Sequence, residues 1–420
     1  MKLDEMDNVR QHLSTNEIML LLLLFIQTFL YEGRENSASI WAFIIGVIFI
    51  FIAGTSIIKE HPLTSGYLLL TRRIFVLFIF ITIVGVINGI MHDYDSLDII
   101  KDVMKYSNFF LFYLCAGNLH ENSKSKFFNI LITIIYIPII IYVLSIFVTL
   151  PPIVFDWIHV DVAAQSIPVI LICLSSVFFS TSGKKKYFLL LIIPFFSVII
   201  NSTRTYWLGL LIGVIVLIVL NLLSNRTRRL SQVLVICFLL AISTLYFVNR
   251  ISHSGIASER FSRSFDSINN FDPYTEQSLI AREDETHRIL ESIDNFIIGE
   301  GLGKNIVIII EPYASAQHWV FWPSTWFHNA YLFFLLKLGG IGLSIFLFLL
   351  YLLLYLGYDS WKNSHDFERM VSAVFVSYIV SMSVMAFSTG NFISPNSLLV
   401  LSVLGSISIS TRLQRNRDLE

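Results

Sequence analysis

Residues 186–220 read KYFLLLIIPFFSVII-NSTRTYW-LGLLIGVIVLIVL, two apolar runs separated by a short polar notch at 201–207. A helix needs roughly 20 mostly apolar residues to cross a bilayer, and both runs approach that length. Arg204 stands in the notch between them. Two membrane-spanning helices joined by a tight polar connection are typical of a polytopic membrane protein.

The composition of the whole chain agrees with this prediction. Of its 420 residues, 55% are hydrophobic and 14% are charged, and the mean hydropathy is +0.71. A soluble domain cannot bury that much apolar surface. Cys115, Cys173 and Cys237 all lie inside apolar runs, which favours small buried side chains over disulfides or metal ligands. We expect no partner nucleic acid, since there is no concentrated basic patch.

Apolar runs along the chain predict an all-α protein with about twelve spans, one transmembrane domain over 1–420, and a retained first span without a signal-peptide cleavage site. The predicted spans are 17–31, 38–58, 74–91, 99–117, 127–149, 163–181, 187–201, 205–223, 230–249, 328–355, 369–388 and 392–410.

Positive residues give the predicted orientation, because Lys and Arg concentrate in cytoplasmic loops. One alternating set of connections, which includes both termini, holds eighteen Lys and Arg residues, whereas the opposite short connections hold only Arg34 and Arg204. We therefore expect both termini to be cytoplasmic. The notch at 201–207 and the one long connection, 250–327, then face outward.

The long loop 250–327 carries most of the polarity predicted outside the membrane. Residues 276–296 show a helical pattern in which one side carries apolar residues and His287, and the other carries Arg282, Arg288 and several acids. The sequence GEGLG at 299–303 ends this helix and indicates a turn, one whose backbone could approach a ligand closely. No strand precedes it, so it is not a dinucleotide fingerprint.

Two outward-facing residues have two interpretations each. Arg204 fits either a snorkelling side chain or an anion site, for which the planar guanidinium is well suited. His328, which opens the tenth span with Asn329, fits either a hydrogen-bonded helix start or a general base. The tryptophans that precede this span are typical of an interfacial aromatic belt, and their rings can also stack on sugars. They are Trp319, Trp322 and Trp326.

Three stretches together resemble the O-antigen ligase and O-antigen polymerase superfamily of bacterial membrane glycosyltransferases. They are NSTRTYW at 201–207, AREDETHRILESIDNFIIGEGLG at 281–303 and STWFHNAYLFFLLKLGGIGL at 324–343. Two positions depart from the family's pattern. Phe296-Ile297 replaces the usual proline before the glycines, and Leu336-Lys337 replaces an acidic residue in the span.

The resemblance implies a GT-C-like fold in the bacterial inner membrane, with its active site facing the periplasm and part of it on the loop 250–327. It implies a donor oligosaccharide on undecaprenyl diphosphate, a glycan or lipid A-core acceptor, a possible chain-length regulator protein as partner, and no metal or other cofactor. It assigns the diphosphate to Arg204 and to Arg282, with Arg288 as the alternative, and catalysis to His328 and Arg204. Asn329 and Trp326 would contribute to substrate binding.

Elementary chemistry agrees with these roles. Fixed arginines stabilise the charge that builds on a departing diphosphate, and a histidine side chain exchanges a proton near neutral pH. The reserve candidates for the base are His318, Glu300 and Glu311.

Four functions stay open. A polymerase extends another lipid-linked repeat and is favoured, whereas an O-antigen ligase transfers the chain to lipid A-core or to protein. A transporter or flippase would need polar residues within its spans, where Lys337 is the clearest ionisable residue. A cell-wall elongation type of glycan polymerase would depend on an outer-loop carboxylate instead of His328.

Overall fold

A computed structural model of the protein describes residues 66–103, 124–145, 162–179, 184–200, 204–224, 277–310, 320–324 and 327–390, with scattered positions from 392 to 408. The chain is mostly helical. Its elements are α1 (Gly66–Met91), α2 (Lys124–Ser145), α3 (Val162–Phe179), α4 (Lys184–Ile200), α5 (Arg204–Leu223), α6 (Gln277–Glu291), β1 (Ile306–Ile310), β2 (Val320–Ser324), α7 (Ala330–Asn363) and α8 (Asp366–Met385).

Within the part of the chain that the structure describes, three helices are long and apolar enough to cross a membrane. They are Thr205–Leu223, Ala330–Asn363 and Phe367–Met385, the bodies of α5, α7 and α8. The helices α1 to α4 contain shorter apolar stretches at predicted spans. The predicted spans 17–31, 38–58 and 230–249 lie outside the described residues, so the total of twelve stays a prediction.

Helix α8 occupies the centre of the described helices. It packs against α3, α5 and α7. Of its most apolar 18-residue stretch, 67% is buried, compared with 39% for α5. Small residues allow this close approach: Ser381 donates a hydrogen bond to the Gly209 carbonyl at 2.8 Å. A Cβ atom at Gly209 would lie 2.4 Å from Met385 Cγ, so glycine is needed at this crossing.

Helices α2, α3 and α4 pack against one another beside α8. Each contains one internal proline, Pro138, Pro168 and Pro194 respectively. Prolines are tolerated in membrane helices where neighbouring groups satisfy the backbone. Side chains also join these helices directly, since Tyr136 donates to the Leu190 carbonyl at 3.0 Å.

Helix α7 is broken at Gly339, which adopts φ 67° and ψ −172° inside an otherwise helical segment. The backbone around this break is open to partners from outside the helix. Residues 296–301 supply them: Glu300 N–H donates to the Leu336 carbonyl at 2.7 Å, and Gly340 N–H donates to the Phe296 carbonyl at 2.7 Å. The break and the loop therefore satisfy each other's backbone groups, as a membrane environment requires.

The same loop contacts α1 on its other side. Leu302 N–H donates to the Gly85 carbonyl at 2.9 Å, and the Asn88 side chain donates to the Gly299 carbonyl at 3.0 Å. The predicted close approach of the GEGLG backbone is therefore made to α1 and α7 of this chain. Gly301 shows why glycine is needed: its φ is +96°, and a Cβ there would lie 2.5 Å from Gly89 N.

A buried ion pair joins α7, the loop and the segment that follows α1. Lys337 Nζ lies 2.8 Å from Asp102 Oδ2, and both side chains are fully buried. The same carboxylate oxygen accepts from Gly303 N–H at 2.8 Å, and Lys337 also donates to the Lys304 carbonyl. Lys337 stands where the O-antigen ligase and polymerase superfamily usually has an acidic residue. In this chain it is paired with the carboxylate of Asp102, in the segment after α1.

Two short strands interrupt the all-α prediction. β1 and β2 pair antiparallel, with Ile306 opposite Ser324 and Ile310 opposite Val320. The run IVIII at 306–310 is β-branched, which favours a strand over a helix. The sequence pattern of the loop did not predict this hairpin.

We expect Gly301→Ala to destabilise the protein by about 1–3 kcal/mol or more, because alanine at a positive φ is strained and its Cβ would meet the α1 backbone. Thermal unfolding of the detergent-solubilised protein measures this loss. Gly213→Ala is the matched control, because its Cβ would meet only side chains, the nearest being Leu171 Cδ1 at 3.2 Å. Equal unfolding temperatures for both variants would contradict the docking described above.

We expect Lys337→Met to cost about 3–5 kcal/mol, because it leaves the Asp102 carboxylate buried without its cation. Adding Asp102→Asn should recover part of that loss. Lys101→Met is the control, since Lys101 pairs with Asp98 at 3.2 Å with its side chain 43% exposed, and exposed pairs contribute about 1 kcal/mol or less. Denaturation midpoints that fall equally in Lys337→Met and Lys101→Met would argue against a buried charge pair.

Candidate functional site

The starts of α5 and α7 and the end of α8 meet at one corner of the protein. Thr205 Oγ1 lies 2.7 Å from Ser388 Oγ. Ala330 N–H donates to the Ala386 carbonyl at 2.9 Å, and the Tyr331 hydroxyl donates to the Ser383 carbonyl at 2.7 Å. The turn that follows α8 therefore binds the first residues of both other helices.

This corner brings together the two chain segments that carry the predicted catalytic residues. Arg204 is the first residue of α5, directly before Thr205, and His328 precedes Ala330 by two positions. The Arg204 side chain is outside the described residues. Its backbone position places it at the N-terminal end of α5, where the helix dipole favours an anion.

His328 is held by a carboxylate from the long loop. Its ring Nδ1 lies 2.7 Å from Glu285 Oε2, and its backbone N–H donates to Glu285 Oε1 at 2.7 Å. The His328 side chain is 49% exposed, whereas that of Glu285 is 5% exposed. One edge of the imidazole is thus fixed by a buried acid, while part of the ring stays accessible.

Asn329 caps helix α7. Its Oδ1 accepts hydrogen bonds from Tyr331 N–H at 3.0 Å and from Leu332 N–H at 3.2 Å, the usual role of asparagine at an N-cap. The amide oxygen of this predicted substrate-binding residue is therefore used by the helix start, where it fixes the backbone next to His328.

Helix α6 presents Glu285 because of its buried face. Ile289 is buried in the core and lies four residues after Glu285, on the same side of the helix. Ile293, just beyond the end of α6, is buried as well. The prediction that His287 shares the buried side is wrong. His287 is exposed, and the buried side is rotated by about one residue because a hydrogen-bonded acid occupies it.

Arg282 and Arg288 flank Glu285 at three residues before and three residues after it, so each lies within about 60° of it on the helix, on opposite sides. Arg288 Nε pairs with Asp284 Oδ2 at 2.6 Å. Arg282 is half-buried and also has interactions within the protein. Both alternatives for the loop arginine are therefore near His328 in the fold through α6.

The reserve candidates for the base lie elsewhere or have another role. Glu300 is buried, and its Oε1 accepts from Asp294 N–H at 2.7 Å and from Asn295 N–H at 2.9 Å, which closes the turn before the glycines. His318, Glu311 and the predicted stacking residue Trp326 lie outside the described residues. Of these candidates, His328 alone is described with a part-exposed imidazole at the corner.

Residues 189–347 match the family model described as O-antigen ligase. The predicted resemblance to the O-antigen ligase and polymerase superfamily is confirmed. The matched segment runs from within α4 to within α7. It includes the notch, the whole long loop and every predicted site residue from Arg204 to Asn329. No curated protein matches the chain.

The match and the apolar helices together support a membrane protein of envelope polysaccharide assembly. Among the residues that the structure describes, no three His, Cys, Asp or Glu side chains form a group that could hold a metal ion.

Sequence reasoning missed Glu285 and Ser388. Glu285 was grouped with the solvent-facing acids of the loop helix, although its spacing to Ile289 and Ile293 was a usable signal. Ser388 carried no signal, because its contact with Thr205 joins positions that are 183 residues apart in the chain.

Proposed function

We propose that this protein is an envelope polysaccharide glycosyltransferase that moves a glycan from undecaprenyl diphosphate to an acceptor hydroxyl on the outer face of the inner membrane. The observation that carries the proposal is the part-exposed His328, held through Nδ1 by Glu285 at the corner where α5 begins with Arg204. All of these residues lie inside the segment that matches the O-antigen ligase family.

The proposed reaction is a single displacement. The acceptor oxygen bonds to the anomeric carbon of the donor sugar as the bond from that carbon to the diphosphate oxygen breaks. The electron pair of the broken bond leaves with the lipid diphosphate, and the hydroxyl proton passes to Nε2 of His328. Displacement from the opposite face would invert the anomeric configuration.

Arg204 and Arg282 would act on the leaving group. Negative charge builds on the diphosphate as the anomeric bond breaks, so fixed guanidinium groups stabilise the transition state more than the ground state. The N-terminal end of α5 adds its partial positive charge at the same position. The diphosphate linkage is already activated, so the proposal needs neither a nucleotide nor a metal.

The proposed acceptor is a second lipid-linked repeat, which makes the protein a polymerase. A ligase that transfers to lipid A-core is the second candidate, because the matching family model is described as O-antigen ligase. The transporter alternative loses its main support, since Lys337 is fully buried and paired with Asp102 at 2.8 Å. A charge held in this way has a structural explanation in the junction between α7 and the residues after α1.

We expect purified protein to lengthen a lipid-diphosphate-linked repeat in the presence of EDTA and without nucleotide, giving a ladder on a glycan gel. His328→Gln and Arg204→Gln should each reduce the rate by about 100-fold or more. His287→Gln and Arg73→Gln are controls, because both residues are exposed. Arg73 lies on α1, and His287, two residues after Glu285, lies on the opposite side of α6.

The acceptor decides between the candidates. Product that forms only when lipid A-core is supplied would make the protein a ligase. Full transfer by folded His328→Gln and Arg204→Gln variants would overturn the site assignment, and the absence of product with either acceptor would return the question to transport.

We expect Arg282→Gln to lower kcat/KM for the lipid-linked donor by about 100-fold, and Arg288→Gln to change it by less than about threefold. The resemblance assigns the diphosphate first to Arg282, whereas the guanidinium of Arg288 is paired with Asp284 at 2.6 Å. The two variants are matched in chemistry and lie on the same helix. The reverse order of effects would move the diphosphate contact to Arg288.

A further inference from the structure

We propose that Glu285 is a positioning residue that holds the His328 imidazole with its proton on Nδ1, so that Nε2 faces the acceptor hydroxyl. The inference rests on the proposed function, in which His328 is the base. It adds a second group to that site, located on the loop helix α6, and it assigns the tautomer in which the histidine works.

Two contacts to one residue give Glu285 control of the ring. Oε1 accepts from the His328 backbone N–H at 2.7 Å, and Oε2 lies 2.7 Å from ring Nδ1. The first contact fixes the backbone at the entry of α7, and the second fixes the rotation of the imidazole about its side-chain bonds. A histidine held at its backbone and at one ring nitrogen presents the far edge of its ring in one direction.

The position of the ring proton on His328 follows from the chemistry of the carboxylate. An ionised carboxylate only accepts hydrogen bonds, so the contact at Oε2 requires a proton on Nδ1. In the neutral ring, Nε2 then carries the lone pair that can take the acceptor proton. When that proton arrives, the ring becomes a cation beside a buried carboxylate, where low local polarity strengthens the attraction.

Burial shows that this carboxylate is not an ordinary surface acid. The Glu285 side chain is 5% exposed and lies on the side of α6 that buries Ile289. An apolar residue at 285 would complete that side without the cost of burying a charge. The two hydrogen bonds to His328 offset that cost.

The neighbouring acids on α6, Glu283 and Asp284, have other partners. The Glu283 side chain is 74% exposed and lies 3.9 Å from His287, while Asp284 pairs with Arg288. Of the three consecutive acids at 283–285, Glu285 is the one that contacts His328. Glu283 therefore offers a matched control on the same helix.

The decisive variant is Glu285→Gln. Glutamine has the same shape, and its amide can keep both contacts: the oxygen accepts from the His328 backbone, and the NH₂ group donates to Nδ1. That arrangement moves the ring proton to Nε2, which can then no longer take the acceptor proton. The fold is kept while the tautomer is reversed.

We expect Glu285→Gln to lower kcat by about 100-fold or more with little change in KM for the donor, and Glu283→Gln to leave both near wild type. Glu285→Gln combined with His328→Gln should be no slower than His328→Gln alone, because both changes remove the same function. A purely structural role would give losses that add.

The tautomer is read independently of activity from ¹⁵N spectra of histidine-labelled protein, in which the signal absent from His328→Gln identifies the residue. In wild type we expect Nδ1 to carry the proton, and in Glu285→Gln we expect Nε2 to carry it. Additive losses in the double variant, full activity in Glu285→Gln, or a wild-type proton on Nε2 would each overturn the inference.

These outcomes separate this inference from the proposed function. A slow His328→Gln variant beside a fully active Glu285→Gln variant would overturn the role of Glu285 and leave His328 as the base. Full activity in both variants would instead remove His328 from the reaction, and the role of Glu285 with it.

Discussion

The backbone docking of residues 296–302 between α1 and the break in α7 is the constraint on which the described site depends. Glu300 and Gly301 donate to the carbonyls of Leu336 and Lys337, so the loop supplies the hydrogen bonds that the interrupted helix lacks. Because non-helical backbone at membrane depth must be satisfied by protein, neither the break nor the loop is stable alone. Together they fix the position of the segment that directly follows α6.

Two sets of contacts connect this docking to the predicted catalytic residues. The loop positions α6, and α6 positions Glu285 against His328, while the turn after α8 binds the residues beside Arg204 and His328. The histidine is thus located both by a loop helix and by the helix bundle. The backbone at His328 is fixed from two sides, and the contact with Glu285 then sets the orientation of the ring.

A feature could be predicted from the sequence when neighbouring residues alone determine it. The span 205–223 and the helix Arg204–Leu223 agree closely, because a long apolar run with a polar boundary determines both. The break at Gly339 was missed because it depends on backbone partners at 296–301, far from it in the chain. The strand at 306–310 was missed although its β-branched run is a local signal. Glu285 was assigned to the wrong side of its helix because a charged residue is ordinarily solvent-facing, and its buried partner, His328, lies 43 positions away.

The break in α7 also has a consequence for the order in which the protein is built. The backbone of 296–301, which binds the break, and Asp102, which pairs with Lys337, both precede α7 in the chain, as do Gly85 and Asn88, which bind the loop. The interrupted helix can therefore be completed as it leaves the ribosome. The corner beside His328 needs Ala386 and Ser388, which follow α7 and α8. The docked break can therefore form before α8 is made, whereas the corner is completed only after it.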